Sequence, residues 1–524
     1  MIGTEPAHRE GRTWPAALTL TIVFAVIVRT VGLGRWPGIN GDEAWYGANV
    51  QEWLAGRAAF LHTGVGNPLN PLHSVPLVAL LRIMDPSPAL LRVPEVMWGL
   101  LAVVLAYPLL AKPLGRRAAQ FAVMLLAFSP AAVAYSRFGW DPSGTPFISL
   151  LAIGLALRDR PVMAVLSLLL AFVVHPTNVF LSPIVVMAWG PHAAKRYGLM
   201  SRPARRRLHV ASAVTAIASM PAAWWILNRI AANPRTSLPP MTTAIARVFS
   251  PHAWGELLVG IAGLFSGVTA AAFIGGPLPY PAVIVGRLVA GLAIALPIAI
   301  GWRAFRSRAH APWLLAGVVV GLAIFHAVAG PAALQPGLER YAMFVLVPLV
   351  IVCAVALDSL AETQPALTTL AFSLTCAAFV AVLLGGYFYP LAIRGGDSAS
   401  AFRTGSVEPK LAAYDAIQAD SAGAAVVSVV AEDWWLYWPL RYFAGGDSRI
   451  HVDLMPGANA PGGLYPAGAG PPPSPQRSDR NYAVVFDGSE AWAALRSSNR
   501  RVFTAFDPLQ RPILHVVALP STPE

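Results

Sequence analysis

Long apolar runs, separated by short charged clusters, fill the first three quarters of the chain. A helix that crosses a bilayer needs about 20 apolar residues. Runs at 14–31, 93–110, 118–134, 145–157 and 161–174, one ending before Lys195, then 209–227, one ending near Gly301, and 311–330, 339–357 and 366–389 predict about eleven spans. Cationic clusters lie between them: Lys112, Arg116 and Arg117; Arg158 and Arg160; Lys195 through Arg207; Arg303, Arg306 and Arg308. With the N-terminus inside, all of them fall on the cytoplasmic face, as the positive-inside rule requires, and the C-terminus falls outside. The first run follows Arg9 and Arg12 but is long for a signal peptide and lacks a clear small-residue cleavage site, so a retained span is expected.

The first outer loop, about 33–94, carries its own pattern. Asn40 or Asp42 can cap a helix that starts near Glu43 and ends at Gly56, with Trp45, Tyr46, Trp53 and Leu54 forming a face for the membrane interface. After the breaker Asn67-Pro68-Leu69-Asn70-Pro71, the apolar piece 72–84 is short for a span and reads as a second surface or re-entrant helix. An amphipathic helix is expected around 242–260 in a second outer segment. From about residue 393 the period changes. Strands near 424–431, 449–454, 481–487, 501–506 and 513–519, with helices near 433–444 and 489–498, predict a small α/β domain outside the membrane. The expected architecture is an all-α polytopic membrane domain, 1–392, with a C-terminal α/β domain, 393–524.

Composition agrees. Only 12% of the 524 residues are charged, against about 25% in a typical soluble protein, and the mean hydropathy is +0.57. The net charge of +12 sits in the loop clusters, which argues against a nucleic-acid partner. Cys353 and Cys376 both fall inside apolar runs and read as core residues. No phosphate-binding glycine loop follows the first outer strand, so no nucleotide role is expected.

Candidate chemistry gathers at the outer loops. Asp42-Glu43 follows the first span. One carboxylate, assigned to Asp42, can act as general base on a weakly nucleophilic hydroxyl, a contribution of about 10²–10⁴-fold; Glu43 then has a supporting polar or metal-binding role. Equally, Asp42 can be a helix cap with Glu43 in the first turn. Asp141, four residues after Arg137, either faces the same cleft, where it could bind the acceptor or orient Arg137 as a phosphate-binding arginine, or pairs locally with that arginine at a helix end. Arg340, between Glu339 and Tyr341, offers a permanent planar cation for a phosphate, or snorkels from a helix end. His62, His73 and His175 are candidates for substrate contact, but no spacing of His, Asp and Glu specifies a metal; a divalent ion stays open. In the outer domain, Glu432, Asp433, Trp434, Trp435 and Trp438 either recognise an acceptor sugar or pack a helix on its sheet.

Together these features resemble the GT-C membrane glycosyltransferases of family 39, which include protein O-mannosyltransferases, the lipid A aminoarabinose transferase and rhizobial galacturonosyltransferases. The resemblance rests on the Asp42-Glu43 pair, the two surface helices, Arg92-Val93-Pro94, Gly115-Arg116-Arg117-Ala118 and the Ser129-Pro130 to Asp141 segment. It spans about 34–190 and returns at Arg340-Tyr341. It implies inverting transfer of one sugar from a polyprenyl phosphate donor to a lipid, glycan or protein hydroxyl, at the outer face of a bacterial-type inner membrane. Asp42 would be the base, Glu43 its motif partner, Asp141 the second-loop acid and Arg340 a phosphate contact. The chain departs from the lipid A enzymes at Ala44-Trp45 and at the aromatics of Phe138-Gly139-Trp140-Asp141. A transporter or flippase of lipid-linked sugars and a non-catalytic envelope assembly protein are the competing readings. Transporters place their charges near the bilayer midplane on broken helices, whereas these acids lie in loops.

Overall fold

The computed structural model describes residues 14–57, 70–204, 239–445, 447–456, 478–497 and 500–520. Helices occupy each expected span except 209–227, which lies outside the described residues. Helix α1 is Trp14–Thr30, α2 Gly41–Leu54, α3 Pro71–Leu81 and α4 Pro88–Leu114. Five helices among the described residues are long and apolar enough to cross a membrane alone; Ala16–Thr30, Pro142–Leu157 and Pro161–Val174 are apolar but shorter. The chain is a multi-pass membrane protein. The helix expected around 242–260 is instead two, Thr242–Phe249 and Pro251–Ser266, bent by 77°. Pro251 has no N–H to continue the first helix, and the Ser250 hydroxyl caps the second by accepting from the Ala253 N–H at 3.3 Å.

The helix Leu346–Ala361 is buried along its length and forms the axis of the helical core. Cys353 lies in it and donates its S–H to the Ala293 carbonyl, while Cys376 is also free. Around it, Leu166, Leu169, Leu288, Leu292, Leu370 and Leu374 are exposed, a surface that suits lipid rather than water.

The C-terminal sheet has the order β2-β1-β3-β5-β4, with β1 Val427–Ala431, β2 Ile450–Leu454, β3 Arg480–Phe486, β4 Arg500–Phe506 and β5 Pro512–Leu519. β1 runs parallel to β2 and β3; β5 runs antiparallel to β3 and β4. One helix escaped the pattern reading, Pro409–Asp420. Pro409 opens it and the Glu408 carboxylate caps it, accepting from the Lys410 and Leu411 N–H groups at 2.7 and 2.9 Å.

The aromatic pair Trp45 and Tyr46 of α2 is covered by protein. Trp45 and Tyr46 are 8% and 6% exposed, in one apolar cluster with Tyr437, Trp438 and the sheet residues Val429 and Val484. The C-terminal domain's Trp434–Ala444 helix covers them. An aromatic face loses its water equally well against lipid or protein, and here protein supplies the cover.

Candidate active site at the start of α2

The local sequence Asn40-Gly41-Asp42-Glu43 divides its labour by hydrogen bonding. Asn40 adopts an extended backbone, and its side chain accepts from the N–H groups of Asp42 and Glu43 at 2.9 and 3.1 Å. The Glu43 carboxylate reaches back to the Asn40 N–H at 3.0 Å, completing a capping box. The cap is therefore Asn40, and the Asp42 side chain is released from that duty.

Glu43 is fully buried and fully engaged. Its Oε1 meets Arg92 Nη2 at 2.6 Å; its Oε2 accepts from Arg92 Nε and the Gly139 N–H, both at 3.1 Å. Arg92 also donates to the carbonyls of Leu33 and Pro37 at 2.8 and 2.9 Å. This pair clamps the end of the first span, the start of α2 and the loop at Gly139 together. Both Glu43 oxygens accept hydrogen bonds, so the side chain braces these segments. From the other side, Ile39 N–H donates to Glu408 at 3.1 Å, and Glu408 and Lys410 form a buried pair at 3.1 Å.

Asp42 is partly accessible. Trp434 Nε1 donates to its Oδ1 at 3.2 Å, across 392 residues of chain. Burial pushes the Asp42 carboxyl above its ordinary range, and Glu43 adds to this; the Arg340 cation and the Trp434 hydrogen bond oppose it. The balance suits a general base, whose proton affinity must be raised without losing the charged form.

Arg340 begins the late helix in a 3-10 turn, Glu339–Val345. Its guanidinium lies 4.5 Å from the centre of the Trp140 ring and 5.0 Å from that of Tyr341, and donates to the Tyr341 hydroxyl at 3.2 Å. Among the described residues it forms no ion pair, so its charge is available to an anion. Its neighbour Glu339 is buried and accepts the Tyr135 hydroxyl at 2.6 Å. His175 stacks on Tyr341 at 5.5 Å and contacts the Thr177 hydroxyl at 2.7 Å. Burial first, and Arg340 second, hold its imidazole down to about 3, so it is neutral and offers a polar contact without charge.

Other expected site residues lie elsewhere. Arg137 is fully buried and donates to the carbonyls of Val28, Val31 and Trp36 at 2.8–3.0 Å and to the Tyr387 hydroxyl at 3.3 Å. It staples the end of α1, its guanidinium satisfied by backbone carbonyls; the Asp141 side chain of the expected local pair lies outside what the structure describes. His73 is buried behind the cleft, with Nδ1 3.1 Å from Glu95 and its ring against Tyr46. Asp141 opens a 3-10 turn, Asp141–Gly144, beside the Trp140 that carries Arg340. His62 lies outside the described residues. Among the described residues no group of three or more His, Cys, Asp or Glu side chains is gathered as a metal would need.

Sequence reasoning missed Arg92 and Glu95 as partners, and the link from Trp434 to Asp42. Arg92 stood in the Arg-Val-Pro motif but with no partner assigned. Trp140, noticed only as a bulky neighbour, donates its Nε1–H to Asn40 Oδ1 at 2.8 Å and thereby joins cap and cation.

ArnT from Cupriavidus metallidurans, solved in the apo state and bound to undecaprenyl phosphate, aligns with this chain at a TM-score of 0.51 and 15% identity. The alignment covers 96% of this chain and 98% of ArnT. The chain has the GT-C fold. A weaker likeness, with a TM-score of 0.43 and 14% identity, covers 86% of this chain and 65% of the Archaeoglobus fulgidus oligosaccharyltransferase. No protein-family model matches the chain, and no curated protein matches it in sequence. In this GT-C fold the Asp42 carboxylate stands at the head of the first helix after the first span, with Arg340 returning to it from a late helix.

Proposed function

We propose that the chain is a glycosyltransferase. It moves one sugar, with inversion, from a polyprenyl phosphate donor to an envelope hydroxyl at the outer face of a bacterial-type inner membrane. One observation carries this reading: Asn40 takes the helix cap, leaving Asp42 free of that duty beside Arg340, which forms no ion pair within 4 Å among the described residues. The GT-C fold shared with a protein solved in complex with undecaprenyl phosphate supports the donor class.

The phosphate of the donor meets Arg340, whose guanidinium holds its charge at any working pH, and the Tyr341 hydroxyl. The acceptor oxygen attacks the anomeric carbon on the face opposite the phosphate. A carbon–oxygen bond to the acceptor forms, the bond to the phosphate oxygen breaks, and polyprenyl phosphate leaves with that electron pair. Asp42 takes the hydroxyl proton as the new bond forms. Glu43, Arg92 and Asn40 hold the carboxylate at its station; they touch neither substrate.

The test is transfer by purified protein in liposomes, with a panel of polyprenyl phosphate sugars and an envelope extract. Asp42→Asn should fold as wild type and lose about 10²–10⁴-fold of the rate. Equal rates would remove Asp42 as the base. A wild type inert toward a panel containing its native donor would turn the reading to transport or assembly.

A further inference from the structure

The outer domain reaches the reacting carboxylate through one side chain. Trp434 is the first residue of its helix, which Asp433 caps by accepting from the N–H groups of Trp435 and Leu436 at 2.9 and 3.1 Å. The indole is seated on Gly41, where an added Cβ would lie 2.4 Å from the ring. Trp438 meets it edge-on at 5.4 Å and meets Trp45 edge-on at 6.1 Å. Trp438 and Trp45 are buried and fix the geometry, while Trp434 keeps part of its surface open beside Asp42. The cluster read from sequence as either sugar-binding or packing thus divides: Trp438 packs, and Trp434 stands at the cleft.

An indole face is broad, apolar and electron-rich, and it suits the C–H face of a pyranose better than a charged head group or an extended peptide. A ring lying flat on it presents hydroxyls at its edge, where a neighbouring carboxylate can take a proton. We propose that Trp434 forms the acceptor subsite, and that the acceptor hydroxyl belongs to a sugar ring stacked on its indole next to Asp42. The acceptor is then a glycan or the sugar of a glycolipid. This rests on the reading of Asp42 as base. The indole N–H also positions Asp42, so one residue of the outer domain both holds the base and receives what the base acts on.

Two experiments separate this proposal from the reading beneath it. First, binding of soluble envelope-type oligosaccharides to the intact protein in nanodiscs is followed by saturation-transfer NMR, without donor. Wild type and Trp435→Ala, an exposed neighbour that does not touch Asp42, should bind; Trp434→Ala should not. No binding by wild type, or equal binding by Trp434→Ala, overturns the proposal whether or not the chain is an enzyme. Second, with an active donor, glycan, hydroxyl-peptide and lipid acceptors are compared. Glycans should be used, and Trp434→Ala should raise the acceptor KM up to about tenfold with the donor KM unchanged. Trp434→Phe should keep most acceptor affinity but shift the acidic limb of the pH profile upward, because the N–H that favours ionised Asp42 is gone. Use of peptide alone, or a loss in kcat with the acceptor KM unmoved, overturns it. Donor-dependent transfer that is absent from wild type with every acceptor brings down the enzyme reading and leaves the binding result to judge the subsite.

Discussion

Replacing Glu43 by alanine separates a brace from a catalyst. The substitution removes four hydrogen-bonded contacts: two to Arg92, one to the Gly139 N–H and one to the Asn40 N–H. Arg92, 0% exposed, keeps its hydrogen bonds to the carbonyls of Leu33 and Pro37 but loses its buried counter-charge. Breaking one partner of a buried ion pair costs about 3–5 kcal/mol, because the other charge stays buried without its counter-charge. That is a fall of about 10²- to 10⁴-fold in the ratio of folded to unfolded protein. Unfolding in a detergent titration, followed by tryptophan fluorescence, should show the midpoint of Glu43→Ala well below that of wild type. The double variant Glu43→Leu with Arg92→Met should recover much of the loss, since a buried pair exchanged for apolar residues of similar size is often neutral. Residual transfer should track the folded fraction. The reasoning fails if Glu43→Ala is as stable as wild type yet inert, for Glu43 would then act in the chemistry.

Three further outcomes follow from the same geometry. Asp42 is held above its ordinary carboxyl range, so transfer should decline as pH falls through that raised value, and Arg340→Gln should move the decline to higher pH by removing the cation that favours ionised Asp42. The folded state holds this proton more tightly than the unfolded chain, so ionising Asp42 costs stability as pH rises; Asp42→Asn should therefore unfold later than wild type at neutral pH, with the gain vanishing in acid below the ordinary range. Gly139→Ala places a Cβ 2.9 Å from the Leu91 carbonyl and 3.0 Å from the His73 ring, which forces the loop off Glu43. A thermal-shift assay should find it less stable, and a wild-type melting curve with full activity would contradict the packing described.

The spans were readable because a bilayer imposes one requirement, about 20 apolar residues per crossing, on contiguous sequence. The positions of helix breaks were harder. Pro251 behind Ser250 reads as a helix start in hindsight, yet the amphipathic pattern runs across it. The strands of the C-terminal domain declared themselves through their β-branched runs, whereas Pro409–Asp420 hides its apolar stripe of Leu411, Tyr414 and Ile417 among alanines and charges. At the site, the adjacent acids were visible, but adjacency says nothing of which one is free.

By itself the sequence determined what short range can settle: a multi-pass chain, an α/β tail, and a polar Asn-Gly-Asp-Glu start to the first outer helix, since capping and hydrophobic periodicity act within a few residues. Only the tertiary structure decided the roles. Asn40 is the cap, Glu43 is spent on Arg92 across 49 residues, and Asp42 is left to Arg340 and to a tryptophan across 392. It also turned Trp45 inward, against Trp438. A charge or an aromatic face carries no record of its partner. Burial energy is the same whichever apolar surface provides it, and a buried ion pair is set by which charges the fold brings within about 3 Å.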